Sequence, residues 1–199
     1  MYASTADVQV RRRRTSSPLP KSPLSFTMHA IMARLRRELE GVYREHRQGL
    51  FTLALSITRC SSRAEDAVQD AFERLWRLRR PPHGALVPYV FAAVRNAAID
   101  QMRRNAGLVQ PPEEMSIFDG RAEDPAAGAL DRERQDLVRK AVESLPDEQR
   151  QAIILHVYGG LTFEEVAQVL AEPLPTIASR YRRALERLKQ AMVKTDNFA

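Results

Sequence analysis

Arginine and small hydroxyl side chains collect near the C-terminus of the chain, in a combination that can bind nucleic acid. The stretch 174–190 carries five positive charges against the single carboxylate of Glu186. A guanidinium group can bond the edge of guanine in a fork, and a Ser or Thr hydroxyl can reach a base or a phosphate. At about 100° per residue, a helix places these side chains opposite an apolar stripe or on its flanks. The candidate DNA-binding residues are Thr176, Ser179, Arg180, Arg182, Arg183 and Arg187.

The elements around this stretch predict a helix-turn-helix. Thr162 with Glu165 three residues later is a capping-box pattern, which marks the start of a short helix. A turn is predicted over 172–175, and the longer basic helix follows it. A short capped helix, a tight turn and a longer basic helix form the arrangement that places its second helix in the major groove of DNA. The alternative is an amphipathic helix whose basic face is simply solvated.

A second candidate site is an acidic strip on a predicted helix in the first half of the chain. The strip consists of Asp66, Gln69, Asp70 and Glu73. Their spacing of i, i+3, i+4 and i+7 puts all four on one helix face, and the opposite face is an apolar stripe from Ala64 to Leu75. Such a strip can meet a basic partner helix, although a solvated acidic face is the alternative. The carboxylates do not indicate catalysis, because neither a cleft nor a base partner is implied.

Composition excludes several classes of function. The 199 residues carry a net charge of +6, which allows a nucleic-acid partner. Cys60 is the single cysteine and the four histidines are scattered, so no metal site or cofactor is expected. No apolar run approaches the ~20 residues that span a bilayer, and the N-terminus lacks the pattern of a signal peptide. We therefore expect a cytoplasmic protein with no membrane insertion. The absence of a Gly-rich phosphate loop or a nucleophile constellation indicates that it is not an enzyme and has no small-molecule substrate.

Helical periodicity predicts an all-α protein of two small helical domains on a flexible acidic linker. The predicted divisions are a disordered basic tail over 1–28, a first domain over 29–104, a linker over 105–130 and a second domain over 131–194.

Local patterns add three finer predictions for the first domain. The stretch 30–59 is predicted to form two helices joined near residues 46–49. Ser62 and Glu65 predict a capping box, and the prolines up to Pro23 predict that no helix includes them.

Both halves resemble one known family, the sigma factors of the extracytoplasmic-function type. In the C-terminal half, the segment 161–167 with Thr176-Ile177, Ser179-Arg180 and Arg183-Ala184 resembles conserved region 4. The turn departs from the family, which usually has Gly at the places of Ala171 and Pro175. In the N-terminal half, residues 64–76 resemble region 2.2, and residues 89–104 resemble regions 2.3 and 2.4.

The resemblance implies a role for each candidate site. The region 2.2 helix would dock on a coiled coil of the polymerase β′ subunit, and the C-terminal helix-turn-helix would read the −35 promoter element. The helix over 87–104 and the loop before it would capture the −10 element as single-stranded DNA. Its chemistry is suitable, since Arg and Asn side chains can bond base edges or phosphates and an aromatic ring can stack on a base. The implied residues are Tyr89, Arg95, Asn96, Arg103 and Arg104.

The expected partners are core RNA polymerase through its β′ and β subunits, promoter DNA and, as a further candidate, an anti-sigma factor. Tyr89 could instead belong to the core. Two rival functions remain open. One is a helix-turn-helix DNA-binding regulator that acts without polymerase docking, against which the segment 64–76 argues. The other is an enzyme with a helical nucleic-acid domain.

Overall fold

The computed structural model describes residues 23–105 and 137–196. Over these ranges the chain is helical and contains no strand, as predicted. The N-terminal unit consists of α1 (Pro23–Thr58), α2 (Ser61–Trp76) and α3 (Leu86–Asn105). The C-terminal unit consists of α4 (helical over 137–143), α5 (Asp147–Ile153), a π-helical turn (Ile154–Tyr158), α6 (Phe163–Leu170) and α7 (Leu174–Asp196). The predicted tail up to residue 22 and most of the predicted linker lie outside the described residues.

The first helix differs from its prediction in two respects, its continuity and its starting residue. α1 is one continuous helix of 36 residues, so the prediction of two helices joined near 46–49 was wrong. A single helical Gly costs only about 1 kcal/mol, which the burial of Leu50 and Leu53 outweighs. α1 also begins at Pro23, so the prediction that no helix includes Pro23 was wrong. Pro is tolerated at the first position of a helix, where its missing N–H has no intrahelical partner to lose. The last six residues of the predicted tail are therefore helical.

Two capping predictions had opposite outcomes. α2 begins at Ser61, so Ser62 lies inside the helix and the predicted capping box with Glu65 was wrong. The capping box of α6 is confirmed, since the Thr162 hydroxyl accepts from the Glu165 amide at 3.2 Å and the Glu165 carboxylate accepts from the Thr162 amide at 2.9 Å.

The N-terminal unit is a three-helix bundle in which every pair of helices is packed together. The predicted stripe of α2 is confirmed as one of its walls. The buried stripe residues are Ala64, Ala67, Val68, Ala71, Phe72 and Leu75. At the surface, α2 and α3 are joined by ion pairs of Arg74 with Asp100 at 3.5 Å and of Arg104 with Asp70 at 3.2 Å. Exposed pairs of this kind contribute little to stability, so apolar burial holds the bundle together.

The C-terminal unit is organised around a buried arginine. The Arg150 side chain donates to the backbone oxygens of Glu143 at 2.9 Å and Leu145 at 2.8 Å, and it pairs with Asp147. Only 2% of Arg150 is exposed, and this burial lowers the pKa of the guanidinium. The arginine thus closes the turn between α4 and α5 by satisfying carbonyls at the end of α4.

We expect Arg150→Met to lower the free energy of unfolding by about 2–4 kcal/mol, because two carbonyl oxygens lose charged donors. Urea denaturation followed by circular dichroism measures this change. The control is Arg139→Met, a half-buried arginine of α4. An equal loss in both variants would contradict the special role of Arg150.

The two units share one hydrophobic core, which the sequence did not predict. α3 packs on α6, and α1 packs on the π-helical turn and on α5. One continuous cluster of buried residues includes Leu50, Phe91 and Val94 of the N-terminal unit together with Leu155 and Val166 of the C-terminal unit. The packing of the units against each other decides which predicted site residues are accessible.

Candidate nucleic-acid interfaces and docking surface

The helix-turn-helix is formed by α6 and α7 and presents most of its predicted DNA-binding residues. Its turn places Ala171 in the left-handed region, with a φ of 53°. Helices commonly end with a residue in this conformation, usually Gly. In α7, Arg182, Arg183 and Arg187 are exposed, while Thr176 and Ser179 are half-buried. The exposed cations share the helix with the buried anchors Ile177 and Ala184, which hold it on the unit.

Arg180 is the exception among the α7 residues. Its Nη2 lies 3.0 Å from Glu148 Oε2 and 3.2 Å from Glu172 Oε1, and only 16% of its side chain is exposed. In this structure Arg180 therefore joins α7 to α5 and to the turn after α6. The helical wheel could not show this, because Glu148 is more than thirty residues away in the chain.

The predicted −10 residues of α3 fall into two groups. Asn96, Arg103 and Arg104 are exposed, and 38% of Tyr89 is exposed. Arg95, in contrast, faces the C-terminal unit, where its Nε donates to Gln151 Oε1 at 2.8 Å. Burial lowers the pKa of the Arg95 guanidinium, nearby Glu172 raises it, and nearby Arg180 lowers it further.

The acidic strip lies on the surface of α2, and three of its four members take part in hydrogen bonds within the protein. Asp66 and Gln69 are exposed. Asp70 accepts from Arg104 at 3.2 Å and from Gln101 at 3.4 Å. Glu73 accepts hydrogen bonds from Gln69 and Arg77, each at 3.2 Å. Among the four predicted residues, Asp66 has the most accessible carboxylate.

Beside the strip lies an aromatic groove that sequence reasoning missed. It has a volume of about 800 Å³ and runs between α1 and α2. Its lining residues are Tyr43, Arg47, Gln48, Phe51, Ser61, Glu65, Val68, Gln69, Phe72 and Trp76. The ring of Phe72 contacts Tyr43 edge-on, with centroids 5.0 Å apart, and lies 5.8 Å from the ring of Trp76.

The groove and the acidic strip form one surface, because Gln69 belongs to both. Tyr43 and Trp76 remain 41% and 43% exposed at this surface. Large aromatic side chains that stay exposed beside an apolar groove are typical of protein–protein interfaces. The signal in the sequence was Tyr43 and Phe51, eight residues apart on one face of α1.

The described residues, 23–105 and 137–196, include no group of three His, Cys, Asp or Glu side chains that could hold a metal ion. Within the same ranges, no helix is both long and apolar enough to cross a membrane.

Two family models match the chain, one in each unit. Sigma-70 region 2 matches residues 42–107, and Sigma-70, region 4 matches residues 135–188. The chain is 33% identical over 137 residues to the ECF RNA polymerase sigma factor RpoE of Cereibacter sphaeroides, covering 66% of this chain and 74% of that protein. It is 26% identical over 187 residues to the ECF RNA polymerase sigma factor SigK of Mycobacterium tuberculosis, covering 89% of this chain and 98% of that protein.

Solved structures agree with this similarity. The sigma factor RpoE in complex with the anti-sigma factor NepR, from Bartonella quintana, has a TM-score of 0.60 and 29% identity. The match covers 79% of this chain and 95% of the chain in that structure. CnrH in complex with the cytosolic domain of CnrY has a TM-score of 0.57 at 20% identity, covers 86% of this chain and 97% of that one, and shows the shared fold.

Both family regions occur in the order that a sigma factor requires, so a helix-turn-helix regulator without polymerase docking is not favoured. The chain belongs to the extracytoplasmic-function sigma factors, which direct RNA polymerase to initiate transcription at specific promoters.

Proposed function

We propose that the chain brings core RNA polymerase to promoters through one protein-docking surface and two DNA-reading helices. The observation that carries this proposal is the surface on α1 and α2 where the acidic strip adjoins the aromatic groove. A regulator that acts without polymerase needs α7, but it has no use for a second surface of this kind.

At the docking surface, a basic helical element of the β′ subunit would contact the strip while its apolar side chains enter the groove. The proposed contacts of the strip are Asp66, Gln69, Asp70 and Glu73. Charge complementarity would orient the partner, and burial of Trp76 would supply affinity, because Trp is a frequent hot-spot residue. Contacts with the β subunit would complete the complex.

The two DNA-reading helices would divide the promoter between them. α3 would bind the −10 element after its strands separate, through Tyr89, Arg95, Asn96, Arg103 and Arg104. α7 would read the −35 element as duplex, with Arg182, Arg183 and Arg187 already exposed and Thr176, Ser179 and Arg180 becoming available on contact. Base recognition in duplex DNA needs the major groove, whereas unpaired bases can be bonded and stacked directly.

We expect Arg183→Ala to weaken binding to the duplex −35 element by about 5- to 150-fold, the equivalent of ~1–3 kcal/mol for one base contact. Preference at one base pair of the element should relax with it. Electrophoretic mobility shifts on a set of single-base variants of a mapped promoter measure both effects. The matched control is Lys189→Ala, which removes an exposed cation of the same helix and should weaken all variants equally. The same uniform loss in Arg183→Ala would contradict base recognition by this residue.

The remaining proposals concern an anti-sigma partner, the domain boundaries and the cellular compartment. Both solved relatives named above are complexes, one of them with an anti-sigma factor, which supports an anti-sigma factor as a partner of this chain. We place the functional divisions at 29–104 and 131–194. We further propose that the chain acts in the cytoplasm, beside the polymerase, and has neither a catalytic activity nor a cofactor of its own.

The experiment that tests the whole proposal is a pull-down with core RNA polymerase, followed by run-off transcription on a genomic library. Retention on the polymerase together with discrete transcripts is the expected result. Binding to DNA fragments without retention on the polymerase would favour the regulator instead.

A further inference from the structure

The aromatic groove between α1 and α2 leaves large aromatic rings open to solvent. Tyr43 and Trp76 stay 41% and 43% exposed on its rim, while Phe72 is buried. The centroid of the Phe72 ring lies 5.0 Å from that of Tyr43. Apolar surface of this kind is seldom left uncovered on a protein, because covering it removes it from water. The groove therefore needs an occupant, and the charges on its rim define the chemistry of that occupant.

Available carboxylates follow the groove along α2. Glu65 lines the groove, Asp66 is its neighbour in the helix, and both side chains are exposed. Neither carboxylate forms an ion pair with another residue that the structure describes, whereas Asp70 and Glu73 already pair with arginines of the protein. Carboxylates beside an apolar groove attract a segment that combines cations with a few apolar side chains.

The segment that precedes α1 has this composition. Residues 1–22 lie outside the described part of the chain, and their sequence carries four consecutive arginines at 11–14 against the single carboxylate of Asp7. Val8 and Val10 come directly before the arginine run. A guanidinium group can pair with a carboxylate and can also stack on the face of a Trp or Tyr ring. The segment therefore matches both the charged rim and the aromatic part of the groove.

The arginine run is also close enough in the chain to reach the groove. The end of the groove at Tyr43 lies about 30 Å along α1 from Pro23, at ~1.5 Å per residue. Residues 11–14 precede Pro23 by nine to twelve positions, and an extended chain of that length spans up to about 30–40 Å. Pro18 and Pro20 favour extended backbone in the residues before them. The run can therefore fold back along α1 as far as the groove.

We propose that residues 8–14 of the chain occupy the groove when no partner is bound. The arginines pair with Glu65 and Asp66 and stack on Trp76, and the two valines cover the apolar side chains between the helices. The segment is then a built-in competitor, which a partner with a basic helix has to displace. Occupancy of the groove is independent of the proposed function, whereas competition with core polymerase rests on it.

A tethered segment needs only weak contacts to hold such a site. A segment on a short linker has an effective concentration on the order of 1 mM at the groove. With an intrinsic dissociation constant of about 0.1 mM, it occupies the groove about nine-tenths of the time and lowers the apparent affinity for a competing partner about 10-fold. Salt weakens this occupancy, because exposed charges are screened within ~3 Å at an ionic strength of about 1 M.

Trp76 reports the occupancy directly, because it is the single Trp of the chain and lines the groove. The test variant is the full chain with all four arginines of the run replaced, namely Arg11→Gln, Arg12→Gln, Arg13→Gln and Arg14→Gln. The control variant removes three exposed cations that do not line the groove, namely Arg34→Gln, Arg37→Gln and Lys140→Gln. Circular dichroism verifies that both variants keep the helical fold.

The first measurement is the quenching of Trp76 fluorescence by acrylamide, which is neutral and involves no polymerase. At low salt we expect the Stern–Volmer constant of the test variant to be at least ~2-fold above the wild type, because the ring is no longer shielded. The control variant should match the wild type, and NaCl at about 1 M should raise the wild type to the value of the test variant. Equal quenching of the wild type and the test variant at low salt would overturn the occupancy. Protection that grows with protein concentration would overturn it too, since it would assign the groove to a second copy of the chain.

A double-mutant cycle tests the pairing of charges. Glu65→Gln combined with Asp66→Asn removes the two carboxylates while the arginines stay. We expect the same rise in quenching as in the test variant, and no further rise when both sets of substitutions are combined, because each set removes the same contacts. Additive rises would overturn the pairing of the arginine run with these carboxylates.

The last measurement separates the inference from the proposed function. Fluorescence titration of the labelled full chain should give the test variant an affinity for core polymerase about 10-fold above that of the wild type. Equal affinities would overturn the competition and leave the proposed function intact. If neither chain binds polymerase while the difference in quenching holds, the proposed function fails and the occupancy of the groove stands.

Discussion

Replacing Asn96 by Ala is expected to leave duplex binding by α7 intact and to reduce open-complex formation at least ~5-fold. Asn96 is exposed on α3, where it is proposed to meet a base only after the strands separate. A good bidentate contact between an Asn side chain and a base contributes about 1–3 kcal/mol. Because Asn96 would make its contact only with an unpaired base, the loss falls on the melted state. Permanganate footprinting of unpaired thymines measures the open complex directly. A template with a pre-melted bubble should not rescue the variant, because the lost contacts are with single strands.

Arg95→Ala is expected to show the same defect. Arg95 also donates a hydrogen bond to Gln151, and the structure provides a control for the loss of that bond. Gln151→Ala removes the identical hydrogen bond from the other side while it keeps the guanidinium. We therefore expect Gln151→Ala to melt promoters as well as the wild type does. Equal defects in Arg95→Ala and Gln151→Ala would mean that the bond itself matters. Normal melting in Asn96→Ala and Arg95→Ala would show that α3 does not hold the −10 element.

Combining Asp66→Lys with Trp76→Ala is expected to weaken core polymerase binding by at least ~30-fold. The charge reversal acts on the accessible carboxylate of the strip, and the truncation removes an aromatic anchor of the groove. A hot-spot Trp alone contributes about 2 kcal/mol or more, which corresponds to this factor. Fluorescence titration of labelled chain with core polymerase measures the dissociation constant.

The control for docking is Glu45→Lys. Glu45 is exposed on α1 and lies about 200° around that helix from Tyr43, a lining residue of the groove. Glu45→Lys changes the net charge as Asp66→Lys does. It should leave the affinity for core polymerase within about 2-fold of the wild type, as expected for a charge outside an interface. Asp70 is a less suitable test position, because its reversal would also break the ion pair with Arg104. Unchanged affinity in the double variant, with a native circular dichroism spectrum, would remove the proposed docking surface.

The features that the sequence determined by itself are local. The capping box of α6 depends on Thr162 and Glu165, three residues apart, and its hydrogen bonds formed as predicted. The apolar stripe of α2 follows from helical periodicity, and all of its members are buried. Both family segments could be recognised for the same reason, since each motif lies within a short stretch of chain. The Ser62 capping box failed because α2 begins two residues earlier than that box requires, with Cys60 at the N-cap position and no side-chain cap.

Only the tertiary structure decided which residues meet across the chain. Gly49 marks a point of backbone contact with Tyr158, more than a hundred residues away, although in the sequence it looked like a break between helices. The burial of Arg95 and Arg180 likewise depends on how the units pack, which the periodicity of α3 or α7 does not encode. A helical pattern specifies which face is apolar, whereas the partner of that face is set by the fit of surfaces from distant segments. The packing of the two units against each other is therefore a property of the fold, while the two helices proposed to read DNA could already be located in the sequence.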